Sequence, residues 1–212
     1  MRSLALLLLL PGLALAQRPA PSKPGSVKPV PTATKVAPAT KVLPKTAAPT
    51  AVPSVPWSTG RQLTVADFQG RPTPAEPHAA LTSATIDAKG ACYDNLFTAD
   101  VKAMFDPATS WVRDPATITP ALLRHEQLHF DIAEVYARRL RLIFARAHPN
   151  CVQLQSTFRR LSQSLYTEWE REESRYDQET NHGLNLTQQA FWERQTAVRL
   201  QQLAAYALKE AE

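Results

Sequence analysis

The sequence predicts an α+β fold, a small antiparallel β-sheet followed by a three-helix bundle. Apolar and polar residues alternate in two runs between residues 80 and 105, the signature of half-buried strands. After residue 120 come three long stretches of helical periodicity with no Gly or Pro inside them. The link between the first two stretches is short, so those helices run antiparallel. A chain of 212 residues has room for one such domain with extensions.

The extensions come first. Met1-Arg2 precedes the apolar run Leu4–Leu10, which is too short to span a bilayer, and Ala14-Leu15-Ala16 supplies an A-x-A site. The expectation is a signal peptide over 1–16, cleaved after Ala16. The product is then secreted or periplasmic, with no stable membrane anchor. Residues 17–56 hold ten prolines in forty residues and no aromatic side chain. Such a segment cannot bury enough apolar area to fold and reads as a disordered, extended linker. Its lysines suit contact with an anionic cell envelope, and a plain solvated linker is the alternative.

Charge follows the same division. Residues 1–66 contain no Asp or Glu and eight Lys or Arg, which leaves 16 basic against 19 acidic residues in the remainder. The basic character therefore belongs to the leader and linker, and the folded part, net −3, has no nucleic-acid footprint.

The domain spans 57–212, with a β-rich part over 57–112 and a helical part over 113–212. Gln62–Val65 reads as a short strand, then a turn at Asp67-Phe68-Gln69-Gly70. Ala80–Asp87 and Leu96–Phe105 read as strands bounded by Lys89-Gly90 and Asp106-Pro107, in a sheet of two to four strands. The first helix runs from Pro120 to about Ala147, with Asp114 or Thr119 as cap, and ends at His148-Pro149-Asn150. A second runs from about Val152 to Thr180 and stops at Asn181-His182-Gly183. A third, capped by Asn185, runs from about Leu186 to Lys209. Cys92 and Cys151 are the only cysteines, and in an exported protein they pair most simply as a disulfide.

Chemistry concentrates in the first helix. His125-Glu126-Gln127-Leu128-His129 is H-E-x-x-H. Residues four apart share a helix face, so His125 and His129 can offer two imidazoles to one cation. Glu126 stands beside that face, where a carboxylate can take a proton from water. Two imidazoles, a carboxylate base and an open metal position are what zinc-assisted hydrolysis needs. A third protein ligand is still required. On the second helix an apolar stripe, Leu154, Phe158, Leu161, Leu165 and Trp169, continues at three/four spacing as Glu172, Tyr176, Glu179 and His182. The stripe turns polar near the level of H-E-x-x-H, and Glu172, Glu179 and His182 are the candidates it offers.

Each has a plainer reading. Glu172 lies in a dense charge run and fits a salt-bridged face. Glu179 can pair with Arg124. His182 can be a cation at a helix C-terminus. His78 and His148 sit in proline-flanked loops, outside the pattern. Asp131 and Glu134 stand within reach of orienting a ligand imidazole, or are solvated helix positions.

Three separated motifs occur in order: Leu63-Thr64 with Asp67-Phe68-Gln69-Gly70; His125-Glu126-Gln127-Leu128-His129-Phe130-Asp131-Ile132 followed by Ala137-Arg138; and Tyr176-Asp177-Gln178-Glu179-Thr180-Asn181-His182-Gly183 with Gln189 and Trp192 downstream. Over about 57–200 this combination is similar to the DUF922 family, bacterial secreted proteins regarded as zinc-dependent proteases. Val65 departs from the tryptophan expected in the first motif, a matter of packing. The resemblance implies that the third motif belongs to the site. It favours His182 as third ligand, with Glu179 next, and Tyr176 as a donor to a developing oxyanion. The expected function is a zinc metallopeptidase with Glu126 as general base, acting on a peptide or protein substrate that includes cell-wall peptide. A cell-wall amidase with the same chemistry, or a metal-stabilised cell-envelope binding module, is the rival.

Overall fold

The structure, a computed structural model, describes residues 52–147 and 151–209. The expected signal segment, most of the expected linker and residues His148-Pro149-Asn150 lie outside the described residues. The chain forms β1 (Val55–Pro56), β2 (Ala80–Leu81), β3 (Ala84–Tyr93), β4 (Leu96–Phe105) and β5 (Trp111–Val112). Three helices follow: α1 (Pro120–Ala147), α2 (Leu154–Thr180) and α3 (Leu186–Gln202). All strand pairing is antiparallel, in a three-stranded sheet ordered β1-β4-β3 and a two-stranded sheet β2-β5. The class is α+β, as expected, and no helix among the described residues is long and apolar enough to cross a membrane.

α1 is the centre. Leu128, Ile132, Val135, Ala137 and Leu140 are buried on it, together with His125, Glu126 and Glu134. One side packs on β4 through Val101, Ala103 and Phe105, and the others receive α2 and α3. Thr119 caps it, its hydroxyl accepting the Leu122 N–H at 3.1 Å. Asn185 does the same for α3, accepting the Gln188 N–H at 3.2 Å. The buried carboxylate of Glu134 is held by Arg138 Nε at 2.9 Å and by Arg141 Nη1 at 3.1 Å. The same arginines donate to the carbonyls of Leu200, Val101 and Tyr206 and tie the C-terminal segment to the core.

The sheet region differs from expectation in four places. Val55 and Pro56, assigned to the linker, pair with Phe105 and Met104, so order begins before Trp57. Gln62–Val65 is not a strand. The Leu63 N–H goes to Gln127 Oε1 at 2.7 Å and the Thr64 N–H to Asp67 Oδ2 at 2.7 Å, so side chains take the donors a ladder would use. The run Ala80–Asp87 is broken at Thr82-Ser83, where the Thr82 hydroxyl donates to the Glu126 carbonyl and the Ser83 N–H to Ser110 Oγ. Finally, β3 runs through Lys89-Gly90 to Tyr93, and the reversal occurs at Asp94-Asn95, both with positive φ. Gly90 is small for another reason: a Cβ there would lie 2.8 Å from the Phe158 ring of α2.

Cys92 and Cys151 form a disulfide that joins the end of β3 to the segment entering α2 across a separation of 59 residues. α3 stops at Gln202, earlier than expected, and Ala204–Tyr206 continues as a 3-10 turn whose carbonyl Arg141 holds.

Candidate metal centre

α1 and α2 run antiparallel with facing residues placed symmetrically about residue 151, so His129 meets Glu173 and His125 meets Asp177. His125 is almost fully buried and His129 nearly so. Below them the ring of Tyr176 stacks on His125 with centroids 4.7 Å apart, and Trp192 packs edge-on against Tyr176. After α2 the chain turns through Asn181, His182 and Gly183, all at positive φ. Gly183 is required twice over, by its φ of 80° and by the approach of His125, whose Cβ would lie 2.9 Å from an added Cβ.

Three ligand atoms converge. His125 Nε2 and His129 Nε2 are 3.3 Å apart, and Asp177 Oδ1 lies 3.2 Å from the first and 3.1 Å from the second. Among the described residues this is the group able to hold a metal ion. Donors arranged tetrahedrally about zinc at about 2.0–2.1 Å stand roughly 3.3 Å apart, so the triangle has the size of a zinc site.

The surrounding hydrogen bonds decide which nitrogens are bare. Gln189 Nε2 donates to Glu193 Oε1 at 3.1 Å, which leaves Gln189 Oε1 as an acceptor facing His125 Nδ1 at 3.2 Å. The tautomer of His125 therefore carries its proton on Nδ1 and turns a lone pair on Nε2 toward Asp177. His129 Nδ1 donates to the carboxylate of Glu173, whose other oxygen accepts from Trp169 Nε1 at 2.6 Å. Its Nε2 is thus the atom left for the site. Carboxylate and amide partners that pin a ligand imidazole are the usual outer support of a metal centre.

Two lone pairs and a carboxylate oxygen this close repel one another unless positive charge sits among them. Burial by itself would lower the pKa of His129, but Glu173, Asp177 and Glu126 outweigh it and hold the value well above that of a free histidine. Burial would raise that of Asp177, yet the imidazoles of His125 and His129 hold it well below the usual carboxylate range. Both shifts arise from the imidazoles and carboxylates facing one another at hydrogen-bond distance. A second observation bears on the site: Glu126 lines the cleft and is 3 % exposed, yet its buried Oε2 has no hydrogen-bond partner among the described residues. An orphaned buried acceptor costs about 1–3 kcal/mol, more for a charge, and calls for a ligand, a water or a reaction to explain it.

The other residues singled out by sequence lie differently. The structure puts Asp177, not His182 or Glu179, in the donor triangle. His182 sits at the rim, half exposed, its Nδ1 3.5 Å from Asp177 Oδ1 and its ring 4.7 Å from that of His78. Glu179 is turned away, accepting from Trp192 Nε1 at 2.9 Å and pairing with Arg175. Glu172 is the salt-bridged residue of the plainer reading, held by Arg199 and the Tyr136 hydroxyl. Tyr176 is fully buried beneath His125, donating to Gln189 Oε1 at 2.8 Å, so it supports the imidazole and does not reach the cleft. Burial also drives its pKa far up, keeping it a neutral phenol. Asp131 is occupied by Trp57 Nε1 and Gln127 Nε2, and Glu134 by arginines, so neither orients a site histidine. That part belongs to Glu173 and Gln189.

The sequence held a signal for the missed residues. At Trp169 the stripe of α2 forks: a step of three leads to Glu172, Tyr176 and Glu179, a step of four to Glu173 and Asp177. The second branch is the one that reaches the imidazole nitrogens of His125 and His129.

The triangle opens into a cleft of about 980 Å³ walled by Ala79–Thr82, the start of α1, α2 and the turn at 181–186. No curated protein and no solved structure matches the chain. Residues 58–183, which include H-E-x-x-H, Glu173 and Asp177, match the family described as "Bacterial protein of unknown function (DUF922)". The chain belongs to the DUF922 family.

Proposed function

We propose that this protein is an exported zinc-dependent hydrolase, most simply a metallopeptidase. The observation that carries the reading is the convergence of His125 Nε2, His129 Nε2 and Asp177 Oδ1 beside the unpartnered Oε2 of Glu126, inside an open cleft. Zinc is the metal that a small nitrogen/oxygen set with one open position suits best, and when bound it supplies Lewis acidity and a more acidic water. The residues of the chain do the rest. His125, His129 and Asp177 would hold the ion, and Gln189 and Glu173 would keep the two imidazoles in the ligating tautomer. Glu126 would take a proton at Oε2 as water attacks a carbonyl, then return it to the leaving amine. Export rests on the leader sequence, and cell-envelope contact on the basic, proline-rich linker.

The test pairs metal content with turnover. Purified chain should contain zinc in about equimolar amount or gain activity when zinc is added, and Glu126→Gln should keep the metal while losing peptide hydrolysis by at least about 10²-fold, the scale of a lost acid–base group. Zinc bound with no hydrolysis of peptides or cell-wall material would favour the metal-stabilised binding module. Chain that neither holds zinc nor responds to it would end the proposal, and a chain purified with iron would point the same two-histidine, one-carboxylate set to other chemistry.

A further inference from the structure

β2 is paired on one side only, with β5. The Arg113 N–H donates to the Ala79 carbonyl at 2.8 Å, so Ala79 and Leu81 turn their backbone groups toward β5. By the alternation of an antiparallel ladder, Ala80 between them turns its groups the other way. No strand lies against that edge among the described residues. The Thr82 hydroxyl donates to the Glu126 carbonyl at 3.1 Å, which fixes the open edge alongside H-E-x-x-H. Ala79, Ala80, Leu81 and Thr82 all line the cleft. Buried backbone groups are seldom left unpaired, and Ala80 is 7 % exposed.

Two further features restrict what can lie there. Leu81, Leu184 and Leu186 are 42 %, 76 % and 60 % exposed and all line this one cleft. Single exposed leucines are ordinary, but three lining one cavity mark a surface for an apolar group. The lining carries Glu126, Glu170, Glu173 and Asp177 and no Lys or Arg. The lining offers no Lys or Arg to pair a terminal or side-chain carboxylate, which argues against carboxypeptidase action and against the carboxylate-rich stem peptides of cell walls.

We propose that the cleft binds an unfolded polypeptide in extended form as a further strand on β2, with an apolar side chain against these leucines and no acidic residue near the centre. Main-chain hydrogen bonds then give affinity and alternate side chains give selectivity, the general mode of strand addition. The proposal deepens the hydrolase reading of the same site and needs that reading only for the fate of the bound chain.

Binding can be measured apart from turnover. The probe is a dansyl-labelled, uncharged decapeptide with a central Leu among Ser, Thr and Gln, titrated by fluorescence anisotropy onto the full chain carrying Glu126→Gln. Saturable binding is expected. Backbone N-methylation scanned along the peptide should weaken it about tenfold at alternate residues near the centre, because successive residues of a strand face opposite ways. Leu→Ser in the peptide, or Asp on both sides of the Leu, should also weaken it about tenfold. Leu184→Ser, a change at an exposed position that leaves the fold intact, should erase the preference for Leu over Ser. No binding at millimolar protein, an N-methyl scan without period two, or tighter binding of the Asp peptide or a cell-wall stem peptide would each overturn the proposal. The wild-type chain with zinc separates the two readings. Binding without cleavage removes the hydrolase and leaves the strand-addition site, whereas cleavage indifferent to N-methylation and to Asp does the reverse.

Discussion

Replacing Asp177 is the sharpest trial of the metal centre, because sequence pattern nominates His182 and Glu179 while the geometry nominates Asp177. Asp177 Oδ1 lies within 3.2 Å of both imidazole nitrogens and supplies the triangle's one negative charge. Structural zinc sites are worth about 10–16 kcal/mol, or roughly 2.5–4 kcal/mol for each of four ligands. Loss of one ligand therefore predicts a fall in zinc affinity of about 10²–10³-fold for Asp177→Ala. His182→Ala, which meets Asp177 only at 3.5 Å, should cost no more than about tenfold, the low end for an outer partner. Glu179→Ala should leave affinity unchanged, since that carboxylate is bound to Trp192. The assay is competition for zinc against a chromophoric chelator, with helix content checked by circular dichroism so that loss of fold is not read as loss of a ligand. If His182→Ala weakens zinc as much as Asp177→Ala, or Asp177→Ala leaves it intact, the assignment of the third ligand is refuted.

Gln189→Leu strands the Nδ1–H of His125 and removes an acceptor of Tyr176; zinc affinity should drop about 10–100-fold and urea unfolding should show a loss of about 1–3 kcal/mol. Glu134→Ala leaves the buried guanidinium of Arg138 and the partly buried one of Arg141 without their carboxylate and should cost about 3–5 kcal/mol in the same urea experiment, with zinc affinity unchanged in the protein that remains folded. Cys151→Ser opens the loop closed by the disulfide; the chain-entropy value for 59 residues is about 4 kcal/mol, and an unshifted urea midpoint would show that the bridge contributes nothing to stability.

Much of this molecule is local in origin and so can be read along the chain. α1 spans Pro120–Ala147 as expected, because its start depends on a cap at Thr119 and a first-turn proline, and its length on an uninterrupted helical pattern. The cysteine pairing follows from there being two cysteines to pair, and the antiparallel course of α1 and α2 from the shortness of the link between them. H-E-x-x-H fixes the relation of His125, Glu126 and His129 because all three lie on one helix.

What tertiary structure decided are the choices that local pattern leaves equal. The break at Thr82-Ser83 exists because Glu126 and Ser110, distant in sequence, take those backbone and hydroxyl bonds. The fork at Trp169 is the decisive case. Steps of three and four both stay near one helix face, about 300° and 400° of rotation, so spacing cannot choose between Glu172 and Glu173. The rotation of α2 chooses. Tyr176, the largest fully buried side chain, seats its ring between His125 and Trp192, and that seat turns Glu173 and Asp177 toward the histidines and Glu172 and Glu179 away from them. Sequence alone therefore determined that His125, Glu126 and His129 share one helix, and packing determined which carboxylate stands beside the two imidazoles.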